Sequence, residues 1–174
     1  KGRTVAIQGI GAVGSALARR LIEAGATVYA ADRNTERLSQ LAAEIGVKPA
    51  DESQITTMKC DVFAPCALGA ILHDESIPKF NCPIIAGAAN NLLLEPRHGK
   101  MLQDRGILYA PDYVINAGGI INVLRQIDGA DDAAINARID SIPGRLHQIW
   151  DESEASGATP AEVADRIAQR LIGR

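Results

Sequence analysis

The chain has 174 residues, 47% of them hydrophobic, 22% charged and only 3% aromatic, with a formal net charge of -3. Such a composition suits a soluble globular domain with one aliphatic core and excludes a disordered chain. Residues 131–174 hold eight acids against five arginines and the remainder thirteen against thirteen, so the acidity lies in the tail and no basic stripe marks a nucleic-acid binder.

No run approaches the ~20 apolar residues of a membrane span, and Lys1 leads straight into structure without a signal-peptide pattern. Cys60, Cys66 and Cys82 are an odd set without CxxC spacing and without a histidine in zinc-ligand register. They read as reduced thiols, in keeping with a cytoplasmic setting and no metal site.

Taken in order, residues 4–8 (TVAIQ) predict a short strand that runs into glycine, and residues 12–24 a helix with Val13, Leu17 and Leu21 on one face. Gly25 ends that helix, residues 27–31 (TVYAA) form a second buried strand, and Asn34 caps a helix over 35–44. Three further apolar runs follow at 61–64, 83–86 and 107–109, with a helix near 95–104. Short buried strands alternating with helices predict a doubly wound α/β (Rossmann) domain. Its sheet should be mostly parallel, with five or six strands and the ligand at their carboxyl ends.

Beyond residue 116 the pattern is helical. Ile135, Ile139, Ile142, Leu146 and Ile149 make one stripe, which Pro143 should break or kink. Thr159, Pro160 and Glu162 form a capping box that opens a last helix with Val163, Ile167 and Leu171 on its apolar face. The expected organisation is a dinucleotide-binding domain over 1–130 and a C-terminal helical extension over 131–174.

The chemistry begins at GIGAVG. Gly9, Gly11 and Gly14 directly follow a strand and open a helix, and Asp32 ends the next strand. Each glycine has a purpose: Gly9 for the turn, Gly11 for close approach to a pyrophosphate, and Gly14 for tight helix packing. The helix N-terminus then offers unpaired N–H groups to an anion. Asp32 would accept bonds from ribose hydroxyls and repel a 2′-phosphate, which favours NAD over NADP. The neighbouring Arg33 leaves that preference open, because a guanidinium can pair with the same phosphate. Three more loops follow predicted strands: PCALGAI at 65–71, AGAANN at 86–91 and PDYVINAGGI at 111–120. Their Asn90, Asn91 and Asn116 read equally as turn or cap residues and as parts of one shared cleft.

GIGAVG, DVFAPCALGAI, IIAGAANN and ILYAPDYVINAGGI, in this order, resemble the cofactor domain of the glutamate, leucine, phenylalanine and valine dehydrogenases, the last three most of all. The resemblance runs from about Arg3 to the end and weakens after Leu124. It implies reversible oxidative deamination of an apolar L-amino acid to a 2-oxo acid and ammonia, with NAD as the cofactor. Gly9, Ile10, Gly11, Ala12, Val13 and Gly14 would then line the pyrophosphate, with Asp32 and Arg33 at the adenosine ribose. Cys66, Ala67 and Leu68 would lie beside the adenosine portion, Ala88, Ala89 and Asn90 near the nicotinamide ribose, and Asn116 would face the substrate.

The resemblance also implies that no catalytic residue lies in this chain. The family's lysine and proton-transferring aspartate belong to an amino-terminal domain, which would also hold most of the substrate pocket. The parent enzyme would be a homo-oligomer, and these residues alone would bind cofactor without turnover. His73, His98 and His147 belong to no constellation and are expected at the surface. A non-catalytic NAD-binding or sensing module is the alternative, since it needs the same glycine loop.

Overall fold

The run TVAIQ forms β1, Thr4–Gln8, which pairs on one side with β2 (Thr27–Ala31) and on the other with β4 (Val62–Pro65). A strand enclosed in this way carries apolar residues at successive positions, and Val5, Ala6 and Ile7 are all buried. The short strands β3 (Lys48–Pro49), β5 (Ile84–Ile85) and β6 (Leu108–Tyr109) complete a six-stranded parallel sheet in the order β3-β2-β1-β4-β5-β6. The winding reverses between β1 and β4, and in this architecture ligands enter the crevice at the carboxyl ends of those two strands. The doubly wound α/β fold read from the sequence is the observed one.

This computed structural model describes residues 1–173, with the backbone alone at 124–126 and 128. Helix α1 (Ala12–Glu23) joins β1 to β2, and α2 (Thr35–Ile45) follows β2. Asn34 caps α2 as expected, its side chain accepting the Arg37 N–H at 2.9 Å. Ala18, Leu38 and Leu41 of these helices pack with Val5, Ile7 and Val28, and Leu17 and Leu21 lie half-buried against the same core. Val13 departs from the predicted apolar face: it is 60% exposed, one residue into α1.

The strand β3 was not legible, because its two residues are a lysine and a proline. Both suit a sheet edge: Lys48 stays exposed with its ammonium 5.3 Å from the Tyr29 ring, and proline is tolerated where one side is unpaired. Helix α3 (Arg97–Asp104) starts two residues later than predicted.

The chain divides into two compact units, Lys1–Tyr109 and Ala110–Arg174, earlier than the boundary expected near residue 130. The helices α4 (Asp112–Ile115) and α5 (Gly118–Asp128) pack on later helices: α4 on α7 (Ile142–Ser156), and α5 on α6 (Asp132–Asp140). Pro143 does break the stripe, since α6 ends before Ser141 and α7 restarts with proline in its first turn. Helix α8 (Pro160–Leu171) opens with the predicted capping box, Thr159 Oγ1 accepting the Glu162 N–H and Glu162 accepting the Thr159 N–H at 2.8 Å. Ile149, Val163, Ala164 and Ile167 form the core of this unit, whereas Leu171 is 69% exposed instead of lying on the buried face.

Among the described residues no helix is long and apolar enough to cross a membrane, and no cluster of three or more histidines, cysteines or acids could hold a metal.

Candidate functional site

At the end of β1 the chain turns sharply at Gly9, whose φ of +94° suits a residue without a Cβ. Its N–H donates to the Ala31 carbonyl at 2.8 Å, and a Cβ added there would lie 2.6 Å from that of Ala67. Gly14 is tighter still, because an added Cβ would stand 2.0 Å from the Gly9 carbonyl oxygen. Gly11 is the opposite case: an added Cβ would meet nothing within 4 Å. Two glycines therefore close the helix onto the loop, and the third leaves open space above it.

Gly11 is also the N-cap of α1, and no side chain bonds the helix end. The first-turn N–H groups at Ala12, Val13 and Gly14 have no intrahelical acceptor, so they form a donor set for an anion with the helix dipole behind them. Ile10 is fully buried beneath the turn, its carbonyl held by Ser15 Oγ at 2.6 Å.

Asp32 is fixed against this loop. One carboxylate oxygen accepts the Ile10 N–H at 2.7 Å and the other the Asn34 N–H at 2.8 Å, so the side chain stands half-buried at the β2 terminus. It lines a cleft with Gln8, Gly9, Arg33, Glu52, Ala67 and Leu68. Arg33 is turned to Glu52, Nε to Oε1 at 3.3 Å, with its side chain 80% exposed. Within the cleft lining, Gln8 Oε1 is buried and meets no hydrogen-bond partner. An orphaned acceptor, an open glycine and an uncapped helix end fit a bound dinucleotide.

The loops after β4 and β5 are bonded into one surface. Ala88 and Ala89 both donate their N–H to the Pro65 carbonyl, at 2.9 and 3.0 Å, and Ala70 donates to the Asn91 carbonyl at 2.6 Å. A Cβ added at Gly69 would lie 2.4 Å from the Asn90 carbonyl oxygen, so only glycine fits there. Ala70 and Asn91 both take a positive φ, of 54° and 53°, an unusual backbone state held on the two sides of that bond. Ala67, Leu68 and Asn90 are exposed on this surface, Ala88 is half-buried and Ala89 buried. Cys66 is half-buried, and burial pushes its thiol above the ordinary value.

Residues 31–156 match the family model described as Glutamate/Leucine/Phenylalanine/Valine dehydrogenase. The chain belongs to that family. It is 40% identical to leucine dehydrogenase of Thermoactinomyces intermedius over 172 residues, covering 99% of this chain and 47% of that protein. It is 42% identical to the phenylalanine dehydrogenase of the same organism, covering 99% of this chain and 48% of that one. The crystal structure of L-tryptophan dehydrogenase from Nostoc punctiforme superposes with a TM-score of 0.96 at 38% identity, over 99% of this chain and 53% of that one. The chain thus spans about half the length of the curated relatives it matches. A hetero-hexameric glutamate dehydrogenase from Thermus thermophilus shares the fold, with a TM-score of 0.70 at 19% identity.

Of the family positions singled out in the sequence, Gly9 to Gly14, Asp32, Arg33, Cys66 to Leu68 and Ala88 to Asn90 all fall at carboxyl ends of strands in the first unit. Asn116 falls in the second unit, half-buried at the end of α4 with its N–H on the Asp112 carbonyl at 2.9 Å. Glu52 and Gln8 were missed. Glu52 lies in a polar stretch (DESQ) that looks like an ordinary loop, although an acid downstream of Arg33 was a signal for an ion pair.

His98 corrects the expectation of a surface residue: it is completely buried. Its Nδ1 accepts the Glu95 N–H at 2.9 Å and its Nε2 lies 3.4 Å from an Asp74 carboxylate oxygen, so it ties α3 to the preceding loops. Arg97 pairs with the same Asp74 and holds that carboxyl well below the usual carboxylate range.

Proposed function

We propose that these residues are the NAD-binding part of an amino-acid dehydrogenase that converts an apolar L-amino acid reversibly into a 2-oxo acid and ammonia. The observation that carries the reading is the cradle at α1: an open Gly11, an uncapped helix end and a carboxylate bonded to the same loop. Leucine, phenylalanine and tryptophan are the substrates named for relatives at 38–42% identity, which supports an apolar side chain for the substrate here.

In this reading the N–H groups of Ala12 to Gly14 hold the pyrophosphate and Asp32 accepts the adenosine ribose hydroxyls. The preference for NAD follows from charge. A 2′-phosphate would meet the carboxylates of Asp32 and Glu52, and the arginine that lines the cleft with them, Arg33, is already paired with Glu52. Ala67, Leu68, Ala88, Ala89 and Asn90 supply the surface along the rest of the cofactor, and Asn116 orients the substrate as a neutral amide. When bound, the nicotinamide would supply the hydride acceptor. The groups that move protons come from outside these residues, and the whole enzyme is an oligomer.

Calorimetric titration of the chain with NADH and with NADPH tests the reading. Saturable NADH binding, roughly ten-fold or more tighter than NADPH and weakened by Asp32→Ala, is the expected result. Equal affinity for both nucleotides removes the charge argument, and binding of neither refutes the cofactor assignment.

A further inference from the structure

Cys60 and Cys82 stand outside the cofactor site. Each lies two residues before its strand, Cys60 before β4 and Cys82 before β5, at the amino ends of the strands and so opposite the glycine loop. The two strands are parallel neighbours, and the Cys60 N–H donates to the carbonyl of Asn81, next to Cys82, at 3.3 Å. This brings the two backbones together and sets the two cysteines side by side at matching positions ahead of the paired strands. Both are buried, 8% exposed, yet both line a cleft of about 260 Å³ that also presents Lys59, Phe80, Arg105 and Ile107.

We infer that Cys60 and Cys82 form a dithiol site for thiol–disulfide exchange, open through this cleft to a small anionic disulfide and closing to an intramolecular Cys60–Cys82 bond. Lys59 and Arg105, both exposed in the lining of this cleft, favour a carboxylate-bearing disulfide. The thiols are not equivalent. The Cys82 thiol beside it holds Cys60 below its ordinary value, and Cys60, together with burial, pushes Cys82 up.

Cys60 is therefore the attacking sulfur. Its thiolate bonds to one sulfur of the small disulfide, whose S–S bond breaks to release one thiolate and leave a mixed disulfide on Cys60. That sulfur is now uncharged, so the main cause raising Cys82 is gone. Cys82 loses its proton to solvent, attacks the Cys60 sulfur and expels the second thiolate. Two electrons pass from the dithiol to the small disulfide, which leaves as two thiols.

The test uses glutathione disulfide on the folded chain, with alkylation of the remaining thiols and peptide mass analysis. The expected product is lighter by two hydrogens, joins the peptides carrying Cys60 and Cys82, leaves Cys66 alkylated and reverts with dithiothreitol. Cys66→Ser should give the same bond. Cys82→Ser should stop at glutathione on Cys60, and Cys60→Ser should leave Cys82 reacting roughly ten-fold more slowly than Cys60 does. Modification at Cys66 alone, no modification, or Cys82 reacting as fast without Cys60 would each overturn the assignment.

Discussion

Gly11→Ala and Gly14→Ala separate the two purposes that the glycine loop serves. At Gly14 the new methyl lies 2.0 Å from the Gly9 carbonyl oxygen, so helix and loop must part by roughly 1.4 Å to reach ordinary contact. Overpacking of this kind costs about 1–3 kcal/mol, and a backbone neighbour places it at the upper end. Alanine returns about 1 kcal/mol of helix propensity. The net loss is about 2 kcal/mol, or roughly 4–8 °C in Tm for a chain of this size. At Gly11 nothing lies within 4 Å. The folded state loses only the N-cap preference for glycine over alanine, about 1 kcal/mol at most, or roughly 2–4 °C. Yet the methyl occupies the space through which a phosphate must approach, and NADH affinity should fall at least ~10-fold, about 1.4 kcal/mol. Thermal denaturation and NADH fluorescence titration on both variants read the two quantities. A Gly11→Ala chain that binds NADH as tightly as the parent would refute the phosphate cradle, and a Gly14→Ala chain of unchanged Tm would refute the packing argument.

Other perturbations reach separate parts of the account. Glu52→Ala releases Arg33 and removes one carboxylate from the cleft, so the ratio of NADH to NADPH affinity should drop several-fold, as measured by calorimetry. Thr159→Ala removes the capping box of α8 and should cost about 1 kcal/mol, read as a Tm lower by roughly 2–4 °C. Asp74 carries the pH prediction. Arg97 lowers its folded-state pKa, so its contribution is complete above the ordinary carboxylate range and is lost as pH falls through the depressed value. The Tm gap between the parent and Asp74→Asn should therefore be open near neutrality and close on acidification, and a gap that widens in acid would contradict the ion pair.

The legible parts of the structure were those in which one physical requirement dominates a stretch of sequence. Buried parallel strands need continuous apolar runs, and TVAIQ, TVYAA and the run at 61–64 announced them. The close Gly9–Gly14 contact needs two glycines at that spacing, and the Thr159 box needs its hydroxyl and acid three apart. What stayed hidden depended on contacts distant in sequence. His98 is buried because Asp74, far upstream, and the Glu95 N–H occupy its two nitrogens. Glu52 acquires its place only when β3 returns beside β2, and β3 itself is defined by two backbone pairings that leave no pattern in side chains. The unit boundary fell at residue 109 because α4 and α5 pack on the later helices, a choice that amphipathic spacing alone does not record.

Amide hydrogen exchange on the chain, with and without saturating NADH, tests the central claim most directly. The account predicts slowed exchange at Ala12, Val13 and Gly14 and in the loops at 66–69 and 88–90, with the amino ends of β4 and β5 at Cys60 and Cys82 unchanged. Binding that protects other segments and leaves the start of α1 exchanging as before would contradict it.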